Sequence, residues 1–255
     1  MKTYAMYFSP TGGTKKVLDI LAETWQINGW IDLSETGETM SEVSFTAEDV
    51  CIVAVPSFYG RMPEVALERM KRWQGNGASA VLVVTYGNRA YDDTLLELKE
   101  ELLQNGFLPK AAVAAVTEHS IVRQYGKGRP DAADRDALRA FARAIQESLE
   151  KEIKRGELVV PGNHPYCVHS KSPMIPMATA DCTGCGSCVV RCPVGAINST
   201  NPAITDAEKC ISCMCCVTVC PWNGRKLSDE QLAGVAEKIG AVCATRKENE
   251  LFLIK

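Results

Sequence analysis

The chain has 255 residues, 46% of them hydrophobic, and a formal net charge of −3, a composition that suits soluble globular packing and excludes a disordered polymer. Its longest apolar stretches, residues 80–84 and 111–116, fall far short of the ~20 residues a membrane helix needs, and no basic stripe with interleaved aromatics points to nucleic acid. Twelve cysteines, nine of them from Cys182 to Cys220, mark either disulfides or metal ligation, and since residues 1–8 lack the apolar core and cleavage site of a secretory signal, metal is the better reading.

Residues 2–8 alternate as a strand and break at Ser9-Pro10-Thr11-Gly12-Gly13, after which Val17, Leu18, Leu21, Ala22 and Trp25 recur at helical spacing. Residues 30–33 read as a short second strand and 50–55 as a buried third, stopped by Pro56. Between them, residues 34–49 carry no convincing helix. A helix is expected over 63–73, with Pro63 near its first turn, and a fourth strand of the parallel type over 78–85. Asp92 or Asp93 can cap a helix through Leu103, residues 111–116 form a fifth strand, and 131–154 a long amphipathic helix. Five strands alternating with helices predict an α/β fold over residues 1–155, with a doubly wound five-stranded parallel sheet.

Residues 156–177 shift to Pro, Gly, His and Ser, as a linker or a strap over the first domain. Residues 178–227 hold too few apolar side chains for a core of their own, so bound clusters would act as the core of a small α+β domain. In the remainder, 228–255, residues 228–239 look helical and 251–254 look like a terminal strand with no assigned neighbour.

Cys182-x-x-Cys185-x-x-Cys188-x-x-x-Cys192-Pro193 recurs as Cys210-x-x-Cys213-x-x-Cys216-x-x-x-Cys220-Pro221. Three thiolates two residues apart wrap one cubane, and the remote fourth reaches the other. Cys182, Cys185, Cys188 and Cys220 would then hold one 4Fe-4S cluster, and Cys210, Cys213, Cys216 and Cys192 the second. Paired C-x-x-C motifs also serve zinc, but zinc gives no reason for a third step followed by Cys-Pro. The repeat resembles the bacterial dicluster ferredoxins, which implies low-potential electron transfer. Cys215 offers a rival third ligand in the second half, although spacing favours Cys216. Many free ferredoxins are acidic, whereas residues 178–227 carry three acidic and four basic side chains. Cys51 reads as a core residue, and Cys167 and Cys243 lie outside the pattern.

The loop Ser9-Pro10-Thr11-Gly12-Gly13-Thr14 can bind a phosphate dianion through backbone N–H groups and hydroxyls at a helix N-terminus. It matches neither the Walker loop nor the dinucleotide fingerprint, and the plain alternative is a polar turn with a capping Thr. Ser9-x-Thr11-Gly12-x-Thr14 resembles the phosphate loop of flavodoxins, which implies FMN, with the ring bordered by the loops after the third and fourth strands. Those loops supply Pro56, Ser57, Phe58, Tyr59 and Gly60, and Thr85, Tyr86, Gly87, Asn88 and Tyr91; their aromatics could instead pack on their own domain. Lys15, Lys16 and Arg61 depart from the uncharged phosphate environment of flavodoxins, and Arg61 is expected near the ring or a substrate.

As a whole the chain is similar to the flavodoxin-ferredoxin fusion proteins of anaerobic bacteria and archaea. The resemblance implies a cytoplasmic, oxygen-sensitive electron carrier with two 4Fe-4S clusters and FMN, served by a redox protein donor or acceptor. An FMN-dependent reductase of a small-molecule substrate is the alternative, with His119 in the long loop after the fifth strand as its candidate participant. A ferredoxin with a flavin-free interaction domain is the second.

Overall fold

The computed structural model describes residues 1–35, 43–151, 156–168 and 174–254. Its first elements alternate as expected: β1 (Thr3–Tyr7), α1 (Gly13–Ala22), β2 (Ile27–Asp32), β3 (Val50–Pro56), α2 (Glu64–Met70), β4 (Ser79–Tyr86), α3 (Thr94–Gln104), β5 (Leu108–Val116) and α4 (Ala132–Glu150). The sheet runs β2-β1-β3-β4-β5 with every neighbouring pair parallel. This is the flavodoxin-like 2-1-3-4-5 order, in which a ligand lies beyond the strand ends where β1 and β3 diverge.

Strands buried on both faces read as continuous apolar runs, and β3 and β4 are built that way. Val53, Val55, Leu82 and Val84 meet α2 and α3 through Ala66, Met70, Leu95, Leu98 and Leu102. Ile52, Ala54, Val81 and Val83 meet α1 and α4 through Val17, Leu18, Leu21, Leu138 and Ile145. Each such Val or Leu contributes about 1.5–3 kcal/mol by leaving water. β2 begins at Ile27, three residues before the expected start, because Asn28 Oδ1 accepts from Thr3 N at 2.8 Å and ties that segment to β1. Part of the expected helix-free stretch, residues 36–42, lies outside the described residues; 43–49 hold no helix.

The sheet has six strands rather than five. β8 (Glu250–Leu253) pairs antiparallel with β5, Ala112 opposite Phe252. The C-terminal tail thus completes the first domain's sheet. Asn249 Oδ1 accepts from Val116 N at 2.9 Å, and Arg129, buried with Asp134, donates to Lys247 O at 2.6 Å.

Residues 156–168 form a strap across α3. Leu158 enters the core, Lys99 pairs with Glu157 at 2.7 Å, and Asp93 accepts from the amides of Asn163 at 2.9 Å and Cys167 at 2.6 Å. Asp93 stands at the N-cap of α3 without capping it, because its carboxylate holds the strap. The cysteine-rich part then contributes β6 (Met177–Ala178), α5 (Ser187–Arg191), α6 (Cys215–Thr218), β7 (Arg225–Lys226, antiparallel to β6) and α7 (Asp229–Cys243), whose N-terminus Ser228 and Gln231 close with a reciprocal capping box.

Candidate cofactor sites

At the β1–α1 turn no side chain caps the helix: Gly12 stands at the N-cap with φ 83°, and its amide donates to Ser9 O at 3.2 Å. Lys15 N donates to Ser9 Oγ at 2.9 Å. Among the described residues, the amides of Thr11, Gly13 and Thr14 find no protein acceptor. They are the orphan donors of a helix start, aimed with its dipole, and a phosphate dianion satisfies them. A narrow cavity of about 40 Å³ sits here, lined by Thr11, Gly13, Thr14, Thr85, Gly87 and Thr117 among others. Thr14 Oγ1 and Thr85 Oγ1 are hydrogen-bonded at 2.8 Å in its buried wall. Lys15 turns away, pairing with Asp19 and stacking 4.3 Å over Trp30.

The narrow cavity shares Ser57, Phe58, Gly87 and Ser120 with a larger one of about 860 Å³. Tyr59, Gly60 and His119 line the larger cavity on the sheet side, Ser212 lies on the cysteine side, and α7 contributes Gln231, Val235 and Ile239. Its size lies within the range of small-molecule sites. Gly87 has no room for a side chain, since a Cβ there would come 2.6 Å from His119 Cδ2 and 2.7 Å from His119 Cα. Gly87→Val is therefore expected to displace the His119 loop at a cost of about 1–3 kcal/mol, read as a lower melting midpoint; an unchanged midpoint would show that the loop yields freely.

His119 Nδ1 accepts from the amides of Ile121 at 3.2 Å and Val122 at 3.1 Å, which leaves the proton on Nε2. Burial, with Arg89 adding, pushes its pKa down to about 4. An unfolded chain binds this proton near pH 6.5, so the contribution to stability is complete above that pH and is lost as pH falls toward 4. An NMR titration of its ring is expected to show no inflection between about pH 5 and 8; one near 6.5 would contradict the buried setting.

Several residues nominated from sequence have other partners. Asn88 donates to Cys243 O at 2.9 Å and accepts from Lys247 N at 3.1 Å, and Tyr91 donates to Glu250 Oε2 at 2.7 Å, so both hold the C-terminal return. Tyr86 is buried edge-on to Tyr91 and lines the narrow cavity, as Pro56 does. Ser9 shapes the turn from behind. Arg61 is not beside the cavity as expected: it forms a buried pair with Glu97 at 2.6 Å, donates to Cys167 O at 2.8 Å and lies 4.6 Å from the Tyr166 ring. Glu97 draws it away, because a buried carboxylate needs a partner. Cys51 is fully buried in β3, and burial raises its thiol pKa.

The two cysteine motifs share one backbone path. Positive φ occurs at Gly184, Gly186 and Gly195 in the first half, and at Ser212, Met214 and Asn223 at the matching positions of the second. Such turns direct successive amides into a concavity suited to an anionic centre. The remote ligands match too: Cys192 Sγ accepts from Ala196 N at 3.3 Å, and Cys220 Sγ from Gly224 N at 3.2 Å. Gly224 passes so close to Cys182 that a Cβ would lie 2.9 Å from its Cα.

The thiols fall into two neighbourhoods. Burial raises the Cys188 pKa, with Cys182 and Cys220 adding to it. In the other, burial raises Cys210, with Cys192 beside it, and pushes Cys216 up to about 11, with Cys210 and Cys192 beside it. Burial carries Cys213 well above its ordinary value, with Cys215, Cys216 and Cys192 adding. Thiols crowded in this way are groups that iron binding deprotonates. Among the described residues no three His, Cys, Asp or Glu side chains converge as a single metal ion requires; a cubane takes each thiolate on a separate iron. Cys215 Sγ is engaged elsewhere, donating to Arg191 O at 3.2 Å.

Residues 175–224 match the 4Fe-4S dicluster domain family. The chain joins a flavodoxin-like α/β fold to a 4Fe-4S dicluster domain. It is also 49% identical over 47 residues to a subunit of the ion-translocating oxidoreductase complex of Methanosarcina acetivorans, a match that covers 18% of each protein. Among solved structures it is similar to a Streptococcus pneumoniae TIGR4 flavodoxin, at 15% identity and a TM-score of 0.40 over 58% of this chain and 99% of that one. A flavodoxin from the domain Archaea gives 15% identity and a TM-score of 0.39 over 59% and 99%. The strand order, not these values, carries the fold. No helix among the described residues is long and apolar enough to cross a membrane.

Sequence reasoning passed over Ser212 and the α7 residues of the larger cavity. Ser212 lies inside the motif, between Cys210 and Cys213, where only the cysteines carried a signal.

Proposed function

We propose that the chain is an electron-transfer iron–sulfur flavoprotein that relays electrons between two 4Fe-4S clusters and an FMN. One observation carries this reading: Ser212, between the Cys210 and Cys213 ligand positions, lines the same cavity as the loops after β3 and β4. When bound, the clusters supply one-electron transfer and the flavin supplies storage of one or two electrons.

The protein's own contribution is order and enclosure. Thr11, Gly13 and Thr14 offer amides to the phosphate, Phe58 and Tyr59 offer aromatic faces to the ring, and α7 shields the far side of the cavity from water. The two ligand sets differ in exposure, with Cys185 open to solvent while Cys192, Cys213 and Cys216 are buried. The outer set therefore faces a redox protein and the inner set faces the flavin. Housing both in one chain makes their exchange intramolecular, at high effective concentration.

A reductase reading is favoured by one feature, the neutral His119 with its proton on Nε2 at the cavity wall, a donor suited to a bound small molecule. Anaerobically purified protein is expected to hold about eight irons and one FMN per chain. Iron without flavin would overturn both readings and leave a ferredoxin with an interaction domain. Electron delivery to ferredoxin-linked acceptors supports the carrier, and turnover of a metabolite without such delivery supports the reductase.

A further inference from the structure

Arg225 lies on β7 opposite Ala178 and is 2% exposed, the largest of the fully buried side chains. A buried guanidinium is costly unless charge and hydrogen bonds compensate it. Nη1 donates to Pro202 O at 2.6 Å, and Nη2 to Pro176 O at 3.2 Å and to the Thr205 hydroxyl. These acceptors are neutral. Among the described residues no carboxylate forms an ion pair with it. Its Nε–H has no hydrogen-bond partner among the described residues.

What faces Arg225 is sulfur. Nη1 lies 3.9 Å from Cys188 Sγ, a ligand position of the outer set. The charge that can offset this buried cation is thus thiolate charge of that set, which explains the missing carboxylate.

We infer that Arg225 is a counter-ion of the outer cluster, its buried positive charge stabilising the more negative, reduced state of that cluster and raising its reduction potential. Cluster potentials follow net charge, hydrogen bonds to sulfur and exposure, and a charge in a low-dielectric interior acts strongly at short range. Arg225 is a positioning and tuning residue, not a ligand. The inference rests on the two-cluster reading of the cysteines.

The test compares the full-length wild type with Arg225→Gln and Arg225→Lys, all purified anaerobically and counted for iron first. A wild type with far fewer than about eight irons would defeat the two-cluster reading itself. With iron in place, EPR-monitored redox titration is expected to show one midpoint potential, that of the outer cluster, lowered in Arg225→Gln and largely restored in Arg225→Lys. Iron-replete Arg225→Gln with both potentials unmoved would overturn the inference, as would Arg225→Lys behaving like Arg225→Gln. If neither variant holds iron, wild-type protein labelled with guanidino-15N arginine decides: hyperfine coupling of 15N to a reduced cluster is expected, and its absence overturns the inference.

Discussion

Cys220→Ala is expected to cost the cluster built on Cys182, Cys185 and Cys188 and to spare the one on Cys210, Cys213 and Cys216, leaving about four irons per chain. Cys192→Ala should do the reverse. The proposed crossed assignment is supported by Gly224, which carries the chain after Cys220 against Cys182, and by the nearness of both Cys182 and Cys220 to Cys188. Pairs of substitutions separate crossed from uncrossed ligation, because two losses within one set are not additive. Cys185→Ala with Cys220→Ala should retain about four irons, whereas Cys213→Ala with Cys220→Ala should retain almost none. The opposite pattern, iron kept by the second pair and lost from the first, would show that each motif holds its own cluster.

The second large effect is expected far from the cysteines, at Asp134. Its carboxylate, 1% exposed as a side chain, accepts from Arg129 Nε at 2.8 Å, Asn249 Nδ2 at 3.0 Å and Arg246 Nη2 at 3.1 Å. Asp134→Ala strands the buried Arg129 guanidinium, a change that costs about 3–5 kcal/mol, or roughly 6–20 °C in melting midpoint for a protein of this size. Arg246 and Asn249 lie between α7 and β8, so the loss should also loosen the C-terminal return, expose the amides of β8 to hydrogen exchange and, on the proposed function, weaken flavin retention as α7 leaves the cavity wall. An unchanged midpoint with β8 still protected would mean that strand pairing alone holds the tail.

The parts of the molecule legible in the sequence are those governed by local pattern. The five parallel strands announce themselves because both faces of the sheet are covered, which gives unbroken runs such as residues 50–55. The turn from β1 into α1 is legible because its glycines and hydroxyls are consecutive. The cysteine repeat is legible because ligand spacing is set by the cubane. What stayed hidden depends on contacts across the whole chain. Residues 251–254 look like a strand, but their pairing with β5 is fixed by Asn249, Arg246 and Arg129, more than a hundred residues apart in the last case.

Asn88 and Tyr91 sit in the right loop by sequence, yet their side chains are committed to that same return. Arg61 lies in a cavity-bordering loop, and only the fold reveals Glu97 behind it. Arg225 reads in sequence as one more surface charge; nothing local distinguishes a guanidinium buried against a cysteine sulfur from one in water.

The most direct test of the relay is the rate at which the clusters reduce the flavin within one molecule. After rapid photoreduction of the anaerobic holoprotein, flavin reduction is expected to be first-order with a rate constant independent of protein concentration, as a shared cavity requires. A rate constant that rises in proportion to protein concentration would place the exchange between molecules and contradict the account.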